Sequence, residues 1–350
     1  MELTELLYGP MKKPILSWAA TSPLFADKEE YPMFSRLVNS YVSYNSAIEE
    51  LAVYYKWGKI TLIVEQNSLH LTTASLLQTL LLISNPEIEI TMNLVTTDSP
   101  DSQIRTNLKS AALDNTDAVI LVSYCDIMRR AYKVASEIEE FDPLTVAIIG
   151  YEFTPSCGDP NINMDGLWNL MPKSGAEEHT VTTFFGDFED GKWDFSPYVN
   201  YPYGNAIPDP EYEEEFRFAM GGNTYSAVQP QEQEPGYSGY LFDSIVLYLK
   251  SVHNLLSDTG VDYFADDTPD LSLGMANAYI RSTVLEDGIT GVVSLDGKGE
   301  RTAKVLLRGI KHVDVSYEDI DYATFNPSNT QDPLTIEQNE IVWAFGKTKN

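Results

Sequence analysis

The sequence is poor in basic residues, and this limits the partners it can have. Lysine and arginine number 23 against 52 aspartate and glutamate residues, so the formal net charge is −29 at pH 7. A field of this sign repels nucleic acid and anionic membranes, and we predict no nucleic-acid partner. It favours cationic ligands, including basic peptides, although such acidity also keeps a protein soluble without any specific partner.

Long apolar runs are missing as well. The longest near-continuous one, ASLLQTLLLI, is shorter than the ~18 residues that cross a membrane. The first residues, MELTELLYGPMKKP, lack the apolar core and the cleavage site of a signal peptide. The chain is therefore either a soluble protein without an address or a fragment whose signal and anchor lie elsewhere.

Motifs of the common enzyme classes are also absent. There is no GxxxxGK[ST] and no GxGxxG after a strand, which disfavours a nucleotide enzyme. Neither GxSxG nor HExxH occurs, and the four histidines have no partner at metal or triad spacing. Acidic clusters at 187–194 and 266–270 suit solvated loops better than calcium sites, and the first departs from the EF-hand order. We predict no catalytic residue, no metal and no cofactor.

What is present is an alternation of strands and helices. Helical patterns of 12–15 residues separate short apolar runs at 59–65, 87–95, 118–125 and 145–153. This alternation predicts an α/β fold with a doubly wound parallel sheet, covered by helices on both faces. Further along, we predict helices over 239–256 and 271–284. A β-hairpin is expected to join 292–296 to 301–310 through Gly297-Lys298-Gly299.

Polar and aromatic residues stand at the ends of the predicted strands. In an open α/β sheet, ligands bind beyond the carboxyl ends of the strands. The candidate ligand-binding residues at these ends are Thr21, Ser22, Glu65, Gln66, Tyr124, Tyr151 and Glu152. Tyr237, just before the predicted helix at 239–256, is a further candidate.

The two cysteines, Cys125 and Cys157, lie at or just past the carboxyl ends of consecutive strands. Adjacent parallel strands are ~4.8 Å apart, so a disulfide between them is within reach. Two unpaired thiols and a single reactive thiol are the alternatives that stay open.

Three segments resemble one protein family. They are PILSWAATSPLFADKEEYPMFSRLVNSYVSYNSAIEELAVYYKWGKITLIVE, GYLFDSIVLYLKSVHNLL and GITGVVSLDGKGERTAKVLLRGI. All three are similar to the receptor ligand-binding region with the type I periplasmic-binding-protein-like fold. That region forms the ectodomain of natriuretic peptide receptors, receptor guanylate cyclases and class C G-protein-coupled receptors.

The resemblance implies two doubly wound lobes with parallel sheets, joined by three crossovers, that close on a ligand. Residues 1–40 and 172–285 would form lobe 1, residues 41–171 and 286–325 lobe 2, and residues 326–350 a juxtamembrane-like tail. The family's first strands have no counterpart in this chain, so we expect lobe 1 to be incomplete and the chain to be a fragment. A homodimer would form through lobe 1.

The function implied by the resemblance is an extracellular, non-catalytic sensor domain of a peptide or guanylate-cyclase-type receptor. It would lie outside the plasma membrane in a full-length parent, which could itself carry a guanylate cyclase domain. Its ligand would be a peptide or a small molecule, with a cationic one favoured by charge.

The glutamate-sensing branch of the family is only partly matched. Thr21 and Ser22 match its A-T-S step, which holds an amino acid's carboxylate. That branch has G-x-Y-G where this chain reads Glu65-Gln66-Asn67-Ser68-Leu69, and a lysine near the position of Tyr237. Free glutamate is therefore disfavoured. The alternative function is a soluble solute-binding protein for a small amino acid or amide, and an α/β enzyme has no supporting constellation.

Overall fold

The computed structural model describes residues 14–138, 146–151, 167–172, 238–259, 271–286, 288, 290–301, 303–313, 316–329, 331–337, 342–343 and 347–348. The chain divides into two compact units. Unit 1 comprises Met1–Ala19, Met33–Leu37 and Gly175–Gly299, and unit 2 comprises Ala20–Pro32, Val38–Ser174 and Glu300–Asn350. The lobe boundaries expected from the sequence stay a prediction.

The elements follow the predicted alternation. In chain order they are β1 (Ile15–Ser17), a 3-10 turn (Pro23–Ala26), β2 (Phe34–Arg36), α1 (Tyr41–Tyr55), β3 (Lys59–Glu65), α2 (Ser68–Ser84), β4 (Glu89–Val95), α3 (Asp101–Leu113), β5 (Ala118–Val122), α4 (Cys125–Ser136), β6 (Ala147–Tyr151), β7 (Leu167–Pro172), α5 (Ser238–Thr259), α6 (Leu271–Ser282), β8 (Val305–Val313), β9 (Ser316–Phe325), β10 (Leu334–Ile336), β11 (Val342–Trp343) and β12 (Lys347–Thr348). None of the helices in the described part of the chain is both long and apolar enough to span a bilayer.

Unit 2 is built on one eight-stranded sheet with the order β10-β9-β8-β7-β6-β5-β3-β4. Strands β4, β3, β5, β6 and β7 run parallel. The pairs β7/β8, β8/β9 and β9/β10 are antiparallel. The α/β class is thus confirmed. The strands predicted at 59–65, 87–95, 118–125 and 145–153 run parallel, and the sheet as a whole is mixed. Only two residues separate β8 from β9, and so short a connection can join antiparallel strands only.

Helices cover both faces of the parallel strands, as predicted. Ile60, Leu62 and Val64 of β3 belong to a core that also holds residues of α1 and α2. Ile63 of the same strand belongs to a second core, with residues of α3 and α4. Because successive side chains of a strand point to opposite faces, this division places one layer of helices on each side of the sheet.

Helix α1 has clear start and stop signals. The Ser40 hydroxyl accepts a hydrogen bond from the Val42 backbone N–H at 3.2 Å, which makes Ser40 the N-cap. The helix ends at Lys56, whose φ of 55° lies in the left-handed region. The chain therefore reverses within a few residues and enters β3.

In unit 1, β1 and β2 form a two-stranded parallel sheet, and α5 packs against α6. Both helices confirm the predicted ones within a few residues. The buried Asp243 of α5 accepts hydrogen bonds from the backbone N–H and the hydroxyl of Thr290. These hydrogen bonds connect the segment after α6 to α5.

The predicted hairpin is only partly correct. Its turn is present, since the Gly299 N–H donates to the Asp296 carbonyl at 2.8 Å and Gly299 has a φ of 79°. However, β8 pairs with β7 and β9 rather than with residues 292–296. Val293 bridges to Leu285 instead. Strand β10, in the segment predicted as a tail, pairs with β9 at the edge of the large sheet.

Candidate functional site

Strands β3 and β5 end side by side. Their register pairs Val64 with Val122, so the residues that follow emerge at the same edge of the sheet. The Tyr124 backbone N–H donates to Oε2 of Glu65 at 2.8 Å. The structure thus brings together two candidate residues that lie 59 positions apart in the sequence.

Glu65 is a buried carboxylate that no lysine or arginine of the described ranges pairs with. Its side chain is only 8% exposed, and Oε2 lies 3.4 Å from Nδ1 of His70. No lysine or arginine in the described ranges forms an ion pair with it. Removing a charge from water without an opposite charge nearby is unfavourable, so Glu65 relies on the Tyr124 N–H for local stabilisation.

His70 lies beside Glu65 in its neutral form. Asn67 is the N-cap of α2, and its Oδ1 accepts a hydrogen bond from the His70 backbone N–H at 3.0 Å. Its Nδ2 is 2.7 Å from His70 Nδ1 and therefore donates to it, which places the ring proton on Nε2. Burial lowers the pKa of His70 to about 4. His70 therefore does not neutralise Glu65 near pH 7.

Tyr124 forms the exposed side of this cluster. Its ring meets the His70 ring edge-on, with centroids 4.5 Å apart, while 56% of the residue remains exposed. The preceding Ser123 is buried, and its hydroxyl has no hydrogen-bond partner within the described ranges. Gln66 is exposed, and its backbone N–H donates to the Val95 carbonyl of β4 at 2.7 Å. We call Glu65, His70, Ser123 and Tyr124 the strand-end cluster.

Tyr151, at the end of β6, is part of the core instead. Its hydroxyl donates to Oδ1 of Asn45 at 2.7 Å, and its ring lies 5.5 Å and 5.8 Å from those of Tyr41 and Tyr44. Burial raises the pKa of the Tyr151 phenol well above its usual value. The structure places this hydroxyl away from solvent.

Thr21 and Ser22 lie in the loop that leads into the 3-10 turn. Thr21 is buried, and its carbonyl accepts a hydrogen bond from the Tyr41 backbone N–H at 3.0 Å. The Ser22 hydroxyl accepts from the Leu24 N–H at 3.4 Å. The 3-10 turn contacts α2, but neither Thr21 nor Ser22 bonds to Glu65 or Tyr124 within the described ranges.

Three of the candidate residues, Glu152, Cys157 and Tyr237, lie outside the described residues. Cys125, the first residue of α4, is disulfide-bonded. Its predicted pairing with Cys157 and the ligand-binding roles of the other candidates stay predictions. Among the residues that the structure describes, no group of three or more metal-ligating side chains could hold an ion.

His70 and Ser123 belong to this cluster but were not predicted as site residues. A local signal marks only the helix start beside them, because an asparagine between a buried strand and a helical pattern is a typical N-cap. The contact of His70 with Glu65 and Tyr124 has no such signal, since it depends on the register between β3 and β5.

A comparison with protein families finds one match. Residues 2–142 match the model of the receptor family ligand-binding region. The matched range includes the strand-end cluster. No curated protein matches the chain.

Proposed function

We propose that the protein is the sensor domain of a peptide or guanylate-cyclase-type receptor, and the match of residues 2–142 to the receptor family ligand-binding region supports this proposal. The ligand-binding region is itself non-catalytic. Membership of the family implies the type I periplasmic-binding-protein-like fold, and the helices on both faces of the parallel strands agree with it. A ligand that binds one conformation more tightly than another would then transmit the signal.

The observation that carries this proposal is the strand-end cluster within the matched range. An α/β sheet binds ligands beyond the carboxyl ends of its parallel strands. Here that edge holds an exposed tyrosine whose backbone N–H is bonded to a buried carboxylate, and a buried hydroxyl precedes that tyrosine; a plain structural edge needs none of these groups. The disulfide at Cys125 further supports an oxidising, extracellular setting for the protein.

The proposal can be tested by a ligand screen on the full chain. The panel would contain short peptides of positive, neutral and negative charge, together with free amino acids and their amides. A ligand present at 100 times its Kd stabilises the folded state by about 2.7 kcal/mol, which appears as a rise in Tm. We expect at least one peptide to produce this rise and to bind saturably in calorimetry.

The same panel separates the receptor from a transporter-type solute-binding protein. Saturable binding of free amino acids or amides, with no binding of peptides, would support the solute-binding protein instead. If no member of the panel changed Tm or gave a calorimetric signal, the proposed ligand-binding function would be rejected.

A further inference from the structure

Glu65 carries a charge that the described protein groups do not neutralise. Its Oε2 accepts from the Tyr124 N–H, and Oε1 makes no hydrogen bond within the described ranges. The nearest ring, His70, contributes no positive charge near neutral pH. A group that brings a positive charge to Oε1 would replace the missing partner, and such charge-assisted hydrogen bonds are among the stronger ones.

The two arginines of α4, the helix that begins at this edge, are already paired with other carboxylates in the described part of the chain. Arg129 lies 2.8 Å from Asp126, and Arg130 lies 2.8 Å from Asp101 and 3.6 Å from Asp126. These ion pairs engage both guanidinium groups with carboxylates other than Glu65. Neither is an ion-pair partner of Glu65, so its charge remains available.

The groups around Glu65 suit a cationic nitrogen. Tyr124 is 56% exposed and its backbone N–H is bonded to Glu65, and the face of a tyrosine ring attracts cations. Ser123 follows Val122, just as Glu65 follows Val64, so the two stand side by side at the sheet edge. The Ser123 hydroxyl is buried without a partner in the described part of the chain, and burial without a partner is unfavourable.

We propose that Glu65, Ser123 and Tyr124 form a binding site for a protonated nitrogen group of the ligand, such as an arginine or lysine side chain. We call this site the cation seat. The N–H groups of that cation donate to Glu65 Oε1 and to the Ser123 hydroxyl, and the Tyr124 ring packs on its exposed side. This inference rests on the proposed function, because it names the chemical group by which that ligand is held.

The test uses three blocked tripeptides as probes: Ala-Arg-Ala, Ala-Lys-Ala and Ala-citrulline-Ala. Citrulline has nearly the shape of arginine without its charge. Their affinities for the full chain are measured by NMR titration. We expect the arginine or the lysine peptide, or both, to bind at least about 10-fold more tightly than the citrulline peptide. The arginine and lysine arms distinguish a guanidinium from an ammonium seat.

Two variants locate the seat, each with a matched control. Glu65→Gln should weaken the cationic peptides about 10-fold and leave the citrulline peptide unchanged. Glu87→Gln removes the same charge from an exposed position and should have an effect below about 2-fold. Tyr124→Leu should weaken cationic binding about 3-fold, whereas Tyr54→Leu, at a tyrosine of 55% exposure, should not. Circular dichroism shows that each variant is folded.

Three outcomes would overturn the seat. They are equal affinity for the arginine and citrulline peptides, no binding of either cationic peptide, and equal effects of Glu65→Gln and Glu87→Gln. If the wider ligand panel still gave saturable binding, the seat alone would be rejected and the proposed function would stand. If that panel also failed, both would be rejected.

Discussion

The neighbouring strands β5 and β6 each lead to a tyrosine at the carboxyl end, and the two tyrosines differ in their exposure to solvent. At the end of β6, Tyr151 is 2% exposed and its hydroxyl is bonded to Asn45, within a cluster of three tyrosines. Just after β5, Tyr124 is 56% exposed and its backbone N–H bonds to Glu65, which pairs with no lysine or arginine in the described ranges. The comparison teaches that position at a strand end does not by itself make a tyrosine available to a ligand. The packing of α1 determines whether the tyrosine is accessible, because Asn45 and two of the three tyrosine rings in the cluster at Tyr151 belong to that helix.

The largest expected difference concerns stability. Tyr151→Ala should lower the free energy of unfolding by about 3–5 kcal/mol, because it removes a buried ring and leaves a cavity. Tyr124→Ala should change it by less than about 1 kcal/mol, because that ring is mostly in water. Urea denaturation of both variants measures the contrast. Equal losses would show that the two strand ends do not differ as the structure indicates.

The next effect is a pH dependence that originates at His70. Its pKa is about 4 in the folded protein against about 6.5 when unfolded, so the unfolded state binds more protons between these values. Stability should therefore rise with pH across this window and be lost as the pH falls through it, by at most about 3 kcal/mol in total. Denaturation curves from pH 4 to pH 7 measure the slope.

His70→Gln should flatten that slope relative to the wild type. His253→Gln, at an exposed histidine outside the strand-end cluster, serves as the control variant. A wild-type slope retained in the His70 variant would assign the pH dependence to other groups and contradict a buried neutral imidazole at the strand-end cluster.

A smaller loss of stability is expected when only the hydrogen bond of Tyr151, at the end of β6, is removed. Tyr151→Phe removes the donor to Asn45 Oδ1 but keeps the ring. The buried amide oxygen loses its partner, which should cost about 1–2 kcal/mol of unfolding free energy. Tyr124→Phe is the matched control and should be neutral, since its hydroxyl forms no hydrogen bond within the described ranges. A neutral Tyr151→Phe variant would mean that this strand end is hydrated.

The smallest predicted change in the free energy of unfolding is an increase rather than a loss. Glu65→Gln removes an uncompensated charge, and the glutamine oxygen still accepts from the Tyr124 N–H, so stability should be unchanged or higher by up to about 1 kcal/mol. The same variant should lose affinity for cationic peptides. A clear loss of stability would instead assign Glu65 a structural role. The strand end at Tyr124 would then resemble the buried strand end at Tyr151.

The local parts of the fold were predictable because their causes are local. The bounds of the predicted strand at 59–65 coincide with those of β3, and the bounds of the predicted helix at 102–113 agree with those of α3 within one residue. The β9 strand and the antiparallel half of the sheet were not predicted. Residues 316–325 mix acidic and apolar side chains, and their strand state depends on pairing with β8 along its whole length.

The sequence by itself determined the α/β class, the family resemblance and the placement of Glu65 and Tyr124 at strand ends, because periodicity and motif order are properties of neighbouring residues. Only the tertiary structure decided that these two residues touch, that His70 is buried beside them and that Tyr151 is closed off. Those contacts depend on the register of β3 against β5 and on the packing of α1 over β6. Residues far apart in the chain set both, and no local pattern encodes them.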